Sequence, residues 1–450
     1  MKGSKPAALV AAGLAGLTLA TFELVHRLDT NGHTASPSTG RPFDVLTRPP
    51  TFVPRGRPVK LTYEIVCPLR GDQPPTPAML KTFCRPRGTL HVRRDGESDF
   101  SEIALAGTSH RASAIVPAEY TTGAGFDYYV EIQDERGVAV TVPEGGADAP
   151  ARARIVSRWR VVKLARHTFG HTRAPDAIVV RGNWGRGRGK FGADVGKEQA
   201  AIGPSAFDIA PDGSIVVLDQ LNKRLVVSSR GRRRSVPIRF DGGEGDLAIG
   251  PDETVYVLDP AENHAVRAYR LSGRLAYRAT APGEEVDFVR AGPRGPIVYG
   301  FPGEMWFPVA EDGRPLAHAE QVARARPGQT FADGSEVVAL ASPSYHGARY
   351  QLLGERPGAW MLRSMTMLGE IQLAQPYRAG LAVVTRFWTE TKSEFVFLEL
   401  TPRGLGQSFA IKPVEDLDSN ASGTFRLHGN TLYQLRSSRT QLEIAAYRLG

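Results

Sequence analysis

The sequence predicts an all-β protein whose larger part is a six-bladed β-propeller, and three observations carry that reading. First, residues 209–226 and 249–266 align without a gap forty positions apart. Pro211, Asp212, Val217, Leu218, Asp219 and Val226 recur as Pro251, Asp252, Val257, Leu258, Asp259 and Val266. A repeat of that length, built of short strands and tight turns, marks a propeller blade. Second, turn markers recur near 212, 252, 294, 333, 379 and 429, each just ahead of an apolar run. They count six units, with five or seven as alternatives. Third, residues 42–155 have a different texture, with short strands at regular spacing that predict a separate β-sandwich.

Each repeat asks the same of its backbone. In Pro211-Asp212-Gly213 the proline presets φ, the aspartate bonds its own backbone and the glycine accepts a positive φ. The run 215–218, Ile-Val-Val-Leu, is β-branched and apolar, as a buried strand requires. Residues 219–224 are polar and turn the chain back, and 225–227 begin the next strand. One such sheet cannot bury both faces alone, so the units must stack around an axis. A ring leaves no exposed edge when both chain ends share one blade. Residues 159–164 are therefore expected to pair with 442–449.

The apolar strand after Pro-Asp-Gly, then Asp219, Asn222, Lys223, Arg224 and a second apolar strand, resembles the NHL-type blade. The second copy keeps Asp259 and Asn263, with His264 in place of the basic residue. Weaker copies carry Pro293-Arg294-Gly295-Pro296, Asp333-Gly334, Arg378-Ala379-Gly380 and His428-Gly429-Asn430.

In the earlier module the expected strands are 59–66, 88–93, 101–105, 113–116, 126–133 and 138–142. Turns such as Arg94-Asp95-Gly96 lie between them. This layout suggests an immunoglobulin- or fibronectin-like β-sandwich. In 128–133, Tyr128, Val130 and Ile132 share one face. The stretches 115–119 and 126–134, with Gly137 and Pro143, resemble an Ig-like module of bacterial exported proteins. The whole arrangement is similar to exported propeller proteins of actinobacteria, a resemblance that implies architecture and no chemistry.

Lys2 and Lys5 precede a charge-free run over 7–22, rich in Ala, Leu and Gly. That is the pattern of a secretory signal, with an uncleaved membrane anchor as the alternative. The expected layout is a signal peptide or anchor at 1–25, a linker at 26–41, the sandwich at 42–155 and the propeller at 156–450. The protein is then secreted, or held at the membrane only by its N-terminal segment. The two cysteines, Cys67 and Cys84, are expected to form a disulfide after export. It would close a Pro-rich loop and contribute about 3 kcal/mol. Two unpaired thiols are the alternative.

The formal net charge is +9, which favours negatively charged neighbours. Two basic clusters stand out as anion- or partner-binding candidates: Arg181, Arg186, Arg188 and Lys190 in one, and Arg230, Arg232, Arg233 and Arg234 in the other. Solvated surface loops are the alternative. Nucleic acid would need aromatic platforms among the basic residues, and Trp184 stands alone.

Catalytic motifs fail. There is no Gly-x-Ser-x-Gly elbow, no His-Glu-x-x-His and no phosphate loop. The glycines of 182–189 read as loop throughout. His167 and His171 are four apart, but Gly170 argues against a helix, so a turn-linked solvated pair is expected. Asp219 and Asp259 occupy equivalent places and are the metal candidates. Carboxylates repeated around a ring could converge and hold Ca²⁺. In the alternative each is structural, accepting bonds from the following turn and tying blade to blade. No other cofactor is expected. The sequence therefore points to an exported, non-enzymatic binding or scaffold protein that engages an anionic cell-envelope component or a partner protein. The competing reading is a metal-dependent propeller hydrolase or lyase with an axial site.

Overall fold

The computed structural model describes residues 44–450 apart from internal stretches, the longest being 67–86, 195–201 and 414–423. The segments 1–25 and 26–41, the pair Cys67 and Cys84, and Arg188 lie outside the described residues. Among the described residues, no helix is long and apolar enough to cross a membrane.

Residues 44–156 build two sheets around one core. In the first, Asp44–Thr47, Val59–Val66, Arg111–Val116 and Ala106–Thr108 lie side by side in that order. In the second, Gly125–Gln133 is flanked by Arg87–Arg94 and Ala151–Val156, with Val53–Pro54 and Ser101–Ala104 at the margins. The period-2 alternation positions the core. Tyr128, Val130 and Ile132 turn inward against Leu61, Tyr63, Leu90 and Val92, while Glu131 and Gln133 face solvent.

Among the described residues seven further sheets follow: the two-stranded pair Ala310–Glu311 and Arg314–Pro315, and six larger ones. The first comprises Ala206–Ile209, Ile215–Asp219, Arg224–Ser229 and Arg232–Pro237. The second comprises Asp246–Ile249, Val255–Asp259, Ala265–Tyr269 and Leu275–Thr280. The third runs from Glu285–Ala291 to Met305–Pro308, and the fourth holds Gln329–Thr330, Glu336–Ala341, Gly347–Leu353 and Gly358–Ser364. The fifth runs from Met367–Tyr377 to Gly404–Ile411, and the sixth takes Phe425–His428, Thr431–Ser437 and Gln441–Arg448.

Each turn marker read from the sequence joins the first two strands of one of these sheets. Asp212 shows why the marker works. Its Oδ1 accepts the Ser214 N–H at 2.8 Å and its Oδ2 accepts the Ser214 hydroxyl at 2.9 Å. Asp252 does the same for Thr254, and Asp333 for Ser335. Gly213 takes φ +82°, and in the second copy Glu253 is held at φ +61° without glycine's freedom. After the turn, Val216, Val217 and Leu218 are fully buried. Each such side chain contributes about 1.5–3 kcal/mol by leaving water.

Neighbouring sheets meet mostly through their first strands, although the fourth meets Met367–Tyr377 of the fifth through its second strand, Glu336–Ala341. Ala206–Ile209 touches Asp246–Ile249, which touches Glu285–Ala291, and Met367–Tyr377 touches Phe425–His428, which returns to Ala206–Ile209. Between the third and fourth sheets, Trp306 bridges to Arg326.

One expectation is corrected. Residues 159–164 do not pair with 442–449. The partner of Gln441–Arg448 is Ala177–Asn183, antiparallel, with Arg181 opposite Glu443. Ala177–Asn183 fits because Val180 and Gly182 are its buried residues, and Gly182 lies where a Cβ would come within 2.7 Å of the Phe191 ring. Arg160–Leu164 instead extends the fourth sheet, parallel to Gly358–Ser364. There Val162 enters the core and the Arg160 guanidinium lies over Trp360. The reading of 182–189 as loop throughout is corrected with it, since Gly182 and Asn183 end a strand.

The N-terminal sheets dock on the fourth sheet. Arg154 Nη2 lies 2.9 Å from Glu336 Oε2, and Phe52 packs edge-on against Trp159 beside Val156, Val338 and Ala359. Burial raises the Glu336 carboxyl above its ordinary value, against the opposing pull of Arg154.

Candidate functional site

Four charged residues meet between the first strands of four sheets: Asp208 in the first, Asp246 in the second, Arg290 in the third and Arg426 in the sixth. Arg426 Nη2 is 3.4 Å from Asp246 Oδ1 and donates to the Leu247 carbonyl at 3.1 Å, while its Nε lies 3.5 Å from Asp208 Oδ1. Arg290 Nη1 donates to Asp246 Oδ2 at 2.5 Å. Each carboxylate also accepts a main-chain N–H from the next sheet: Asp208 from Ile249 at 2.8 Å, and Asp246 from Val289 at 2.9 Å.

Burial governs this cluster. Desolvation raises the Asp208 carboxyl above its usual range, opposed by Arg426 and by the N–H groups of Ile209 and Ile249. Arg426 is pushed down to about 10, first by burial and then by repulsion from Arg290, with Asp208 and Asp246 pulling the other way. Two cations and two carboxylates balance, so the arrangement ties sheets together with no charge left over.

The sequence reading missed all four residues, although a signal was present. In each strand a charge interrupts or heads an apolar run beside the turn marker: Phe207-Asp208-Ile209, Asp246-Leu247-Ala248, Val289-Arg290-Ala291 and Phe425-Arg426-Leu427. A charge there needs a partner, and its partners come from other sheets.

The metal candidates sit in separate networks. Asp219 is fully buried. It accepts from the Gly192 N–H, Asn222 Nδ2 and Arg224 Nε, each at 2.8 Å. Those are bonds from the following turn and from the incoming loop. Asp259 is also fully buried, and one oxygen each from Asp241, Asp259 and Glu262 lie within 4.8 Å of one another. Asp259 Oδ1 is buried without a hydrogen-bond partner. Calcium nevertheless fits poorly, because Arg267 already lies among the three carboxylates. Its guanidinium is 2.5 Å from Asp259 and 2.7 Å from Asp241, and it contacts Glu262. Arg239 and Arg278 add to Asp241 and Glu262, so three arginines already match three carboxylates.

The basic candidates divide between the sixth sheet with the loop that follows it and the far end of the first sheet. Arg181 is paired with Glu443 at 2.8 Å. The loop after it turns its carbonyls inward: Arg224 donates to those of Arg186, Gly187 and Lys190. Arg186 and Lys190 stay exposed at that end. Arg230 lies at the opposite end, about 17 Å away along a six-residue strand, in the tight turn that joins Arg224–Ser229 to Arg232–Pro237. Arg230, Arg232 and Arg234 are exposed and Arg233 is half-buried. The structure thus brings 230–234 together on one strand and keeps them apart from Arg181, Arg186 and Lys190.

The histidine expectation is corrected in half. His171 is exposed. His167 is not solvated: its Nε2 lies 2.8 Å from Glu394 Oε2, and Glu394 Oε1 accepts the Gly170 N–H at 2.6 Å. Phe169 and Phe387 flank the imidazole, and no helix forms there.

No protein-family model matches the chain, and no curated protein matches it. Among solved structures, selenomethionine-substituted virginiamycin B lyase from Staphylococcus aureus, a β-propeller, is similar over 54% of this chain and 94% of its own, with 11% identity and a TM-score of 0.33. A streptogramin B lyase is similar over 80% of this chain and 98% of its own, with 7% identity and a TM-score of 0.21. A 1.5-MDa bacterial ice-binding adhesin covers 91% of this chain at 7% identity and a TM-score of 0.17. The chain is all-β with propeller-like neighbours. At these scores the likeness carries no argument about activity.

Proposed function

We propose that the chain is an exported, non-enzymatic binding or scaffold protein. In this reading residues after 156 form a six-bladed, NHL-like ring closed by its two ends. The N-terminal sheets are an Ig-like spacer, and the partner is an anionic cell-envelope component or an acidic protein. One contrast carries the proposal. The buried charges are matched within the fold: Arg426 and Arg290 with Asp208 and Asp246, and Arg267 with Asp241, Asp259 and Glu262. Arg232 and Arg234 are instead displayed on an outer strand. A metal-dependent hydrolase or lyase would need free oxygen ligands, whereas Asp208, Asp219 and Asp246 are engaged by arginines and N–H groups.

Retention of the intact chain on an immobilised anionic polymer tests the proposal. Retention at low salt, its loss at high salt and its weakening in Arg232→Glu/Arg234→Glu are expected. Flow-through at low salt contradicts the reading.

A further inference from the structure

The strand Arg232–Pro237 is the outer edge of the first sheet and, among the described residues, pairs on one side only, with Arg224–Ser229. Arg232, Arg234 and Ser235 are exposed. Bonded and non-bonded residue pairs alternate across an antiparallel ladder. The two-residue turn Arg230-Gly231 makes Ser229 and Arg232 a bonded pair. Arg233 and Ser235 therefore turn their N–H and C=O groups away from the sheet. The open stretch ends at Pro237, which has no N–H, and where Gly273 of the second sheet packs on Val236.

The side chains decide what pairs with this edge. Arg232 and Arg234 project to one face and Arg233 to the other. Burial draws the Arg233 guanidinium below its ordinary value, and no carboxylate opposes that shift. Arginines on neighbouring sheets differ. Arg270 pairs with Asp252, Arg278 with Glu262, and Arg294 with Asp312. A row of like charges repels a second copy of the same edge, which is how edges avoid self-pairing. The same row attracts an extended strand of opposite charge, whose main chain meets the outward groups of Arg233 and Ser235.

We infer that residues 232–235 accept an extended acidic peptide segment of another protein as an added strand. The inference rests on the binding function proposed above and names its partner class. A flexible polyanion meets the charges but makes no ladder bonds.

Fluorescence anisotropy on the intact chain tests it with three probes: a labelled peptide alternating Glu and Val, the same peptide N-methylated at alternate amides, and inorganic polyphosphate of matched charge. The unmodified peptide is expected to bind at least about tenfold more tightly than either of the others. Arg232→Glu/Arg234→Glu is expected to remove that preference with the melting temperature unchanged. Equal affinity for the methylated peptide or for polyphosphate overturns the inference and leaves the anion-binding function standing. Absence of binding to all three overturns both. A preference that survives the double charge reversal places the strand elsewhere and overturns the assignment to 232–235.

Discussion

Arg426 Nη2 and Asp246 Oδ1 lie 3.4 Å apart although 180 residues of chain separate them. The contact joins the sixth sheet to the second, and Asp208 of the first sheet lies 3.5 Å from Arg426 Nε. Removing one member of such a buried pair leaves the other uncompensated. Arg426→Ala is expected to lower unfolding free energy by about 3–5 kcal/mol, read as a shifted urea midpoint. Asp246→Asn combined with Arg426→Met should recover only part of that loss, since Asp208 and Arg290 keep their charges after losing Arg426 and Asp246.

Gly182 is required by a close approach rather than by backbone conformation. A Cβ there would lie 2.7 Å from the Phe191 ring and from the Gly189 carbonyl oxygen. Gly182→Ala should cost about 1–3 kcal/mol through overpacking, whereas Gly189→Ala meets open space and only its positive φ resists. Thermal melts of the two variants distinguish them.

The cluster of Asp241, Asp259 and Glu262 holds its cation as Arg267. Adding Ca²⁺ or a chelator should leave the melting temperature of the wild-type chain unchanged. Arg267→Ala should destabilise strongly, and Ca²⁺ should then restore part of the loss, because three carboxylates are left facing one another. Differential scanning calorimetry with and without Ca²⁺ gives both readings.

Hydrogen bonds from the Ser214 N–H and hydroxyl hold the Asp212 carboxyl below its ordinary value. At Asp252 burial acts in the opposite direction, but the bonds from Thr254 win and the carboxyl is again lowered. A depressed folded-state pKa means a stabilising contribution that is present above the unfolded value of about 3.9 and lost as pH falls through the folded value. The stability difference between wild type and Asp212→Asn should therefore shrink below about pH 4. Melting curves taken through that range check the sign.

The sequence was most legible where its signal is local. Asp212, Asp252 and Asp333 mark their turns because the residue two positions on supplies both donors. The alternation at Tyr128, Val130 and Ile132 reports a buried face because strand geometry has period two. What escaped was set by distant partners. Arg426 reads as an ordinary charge until Asp246 and Asp208 arrive from other sheets. Arg160–Leu164 and Ala177–Asn183 are both short runs carrying valines, so composition alone does not say which one the final strand takes. Packing decides, through Gly182 against Phe191 and through Val162 in the core of the fourth sheet. The basic candidates were visible as charge, but their separation depends on Ala177–Asn183 joining Gln441–Arg448 and on the hairpin at Arg230-Gly231.

The pairing of Ala177–Asn183 with Gln441–Arg448 joins the two ends of the later sheets, and amide hydrogen exchange of the intact chain tests it most directly. The expected result is protection of the bonded amides of 177–183 to the level of those in 441–448, with both lost together in denaturant. Rapid exchange throughout 177–183 beside a protected 441–448 would contradict it.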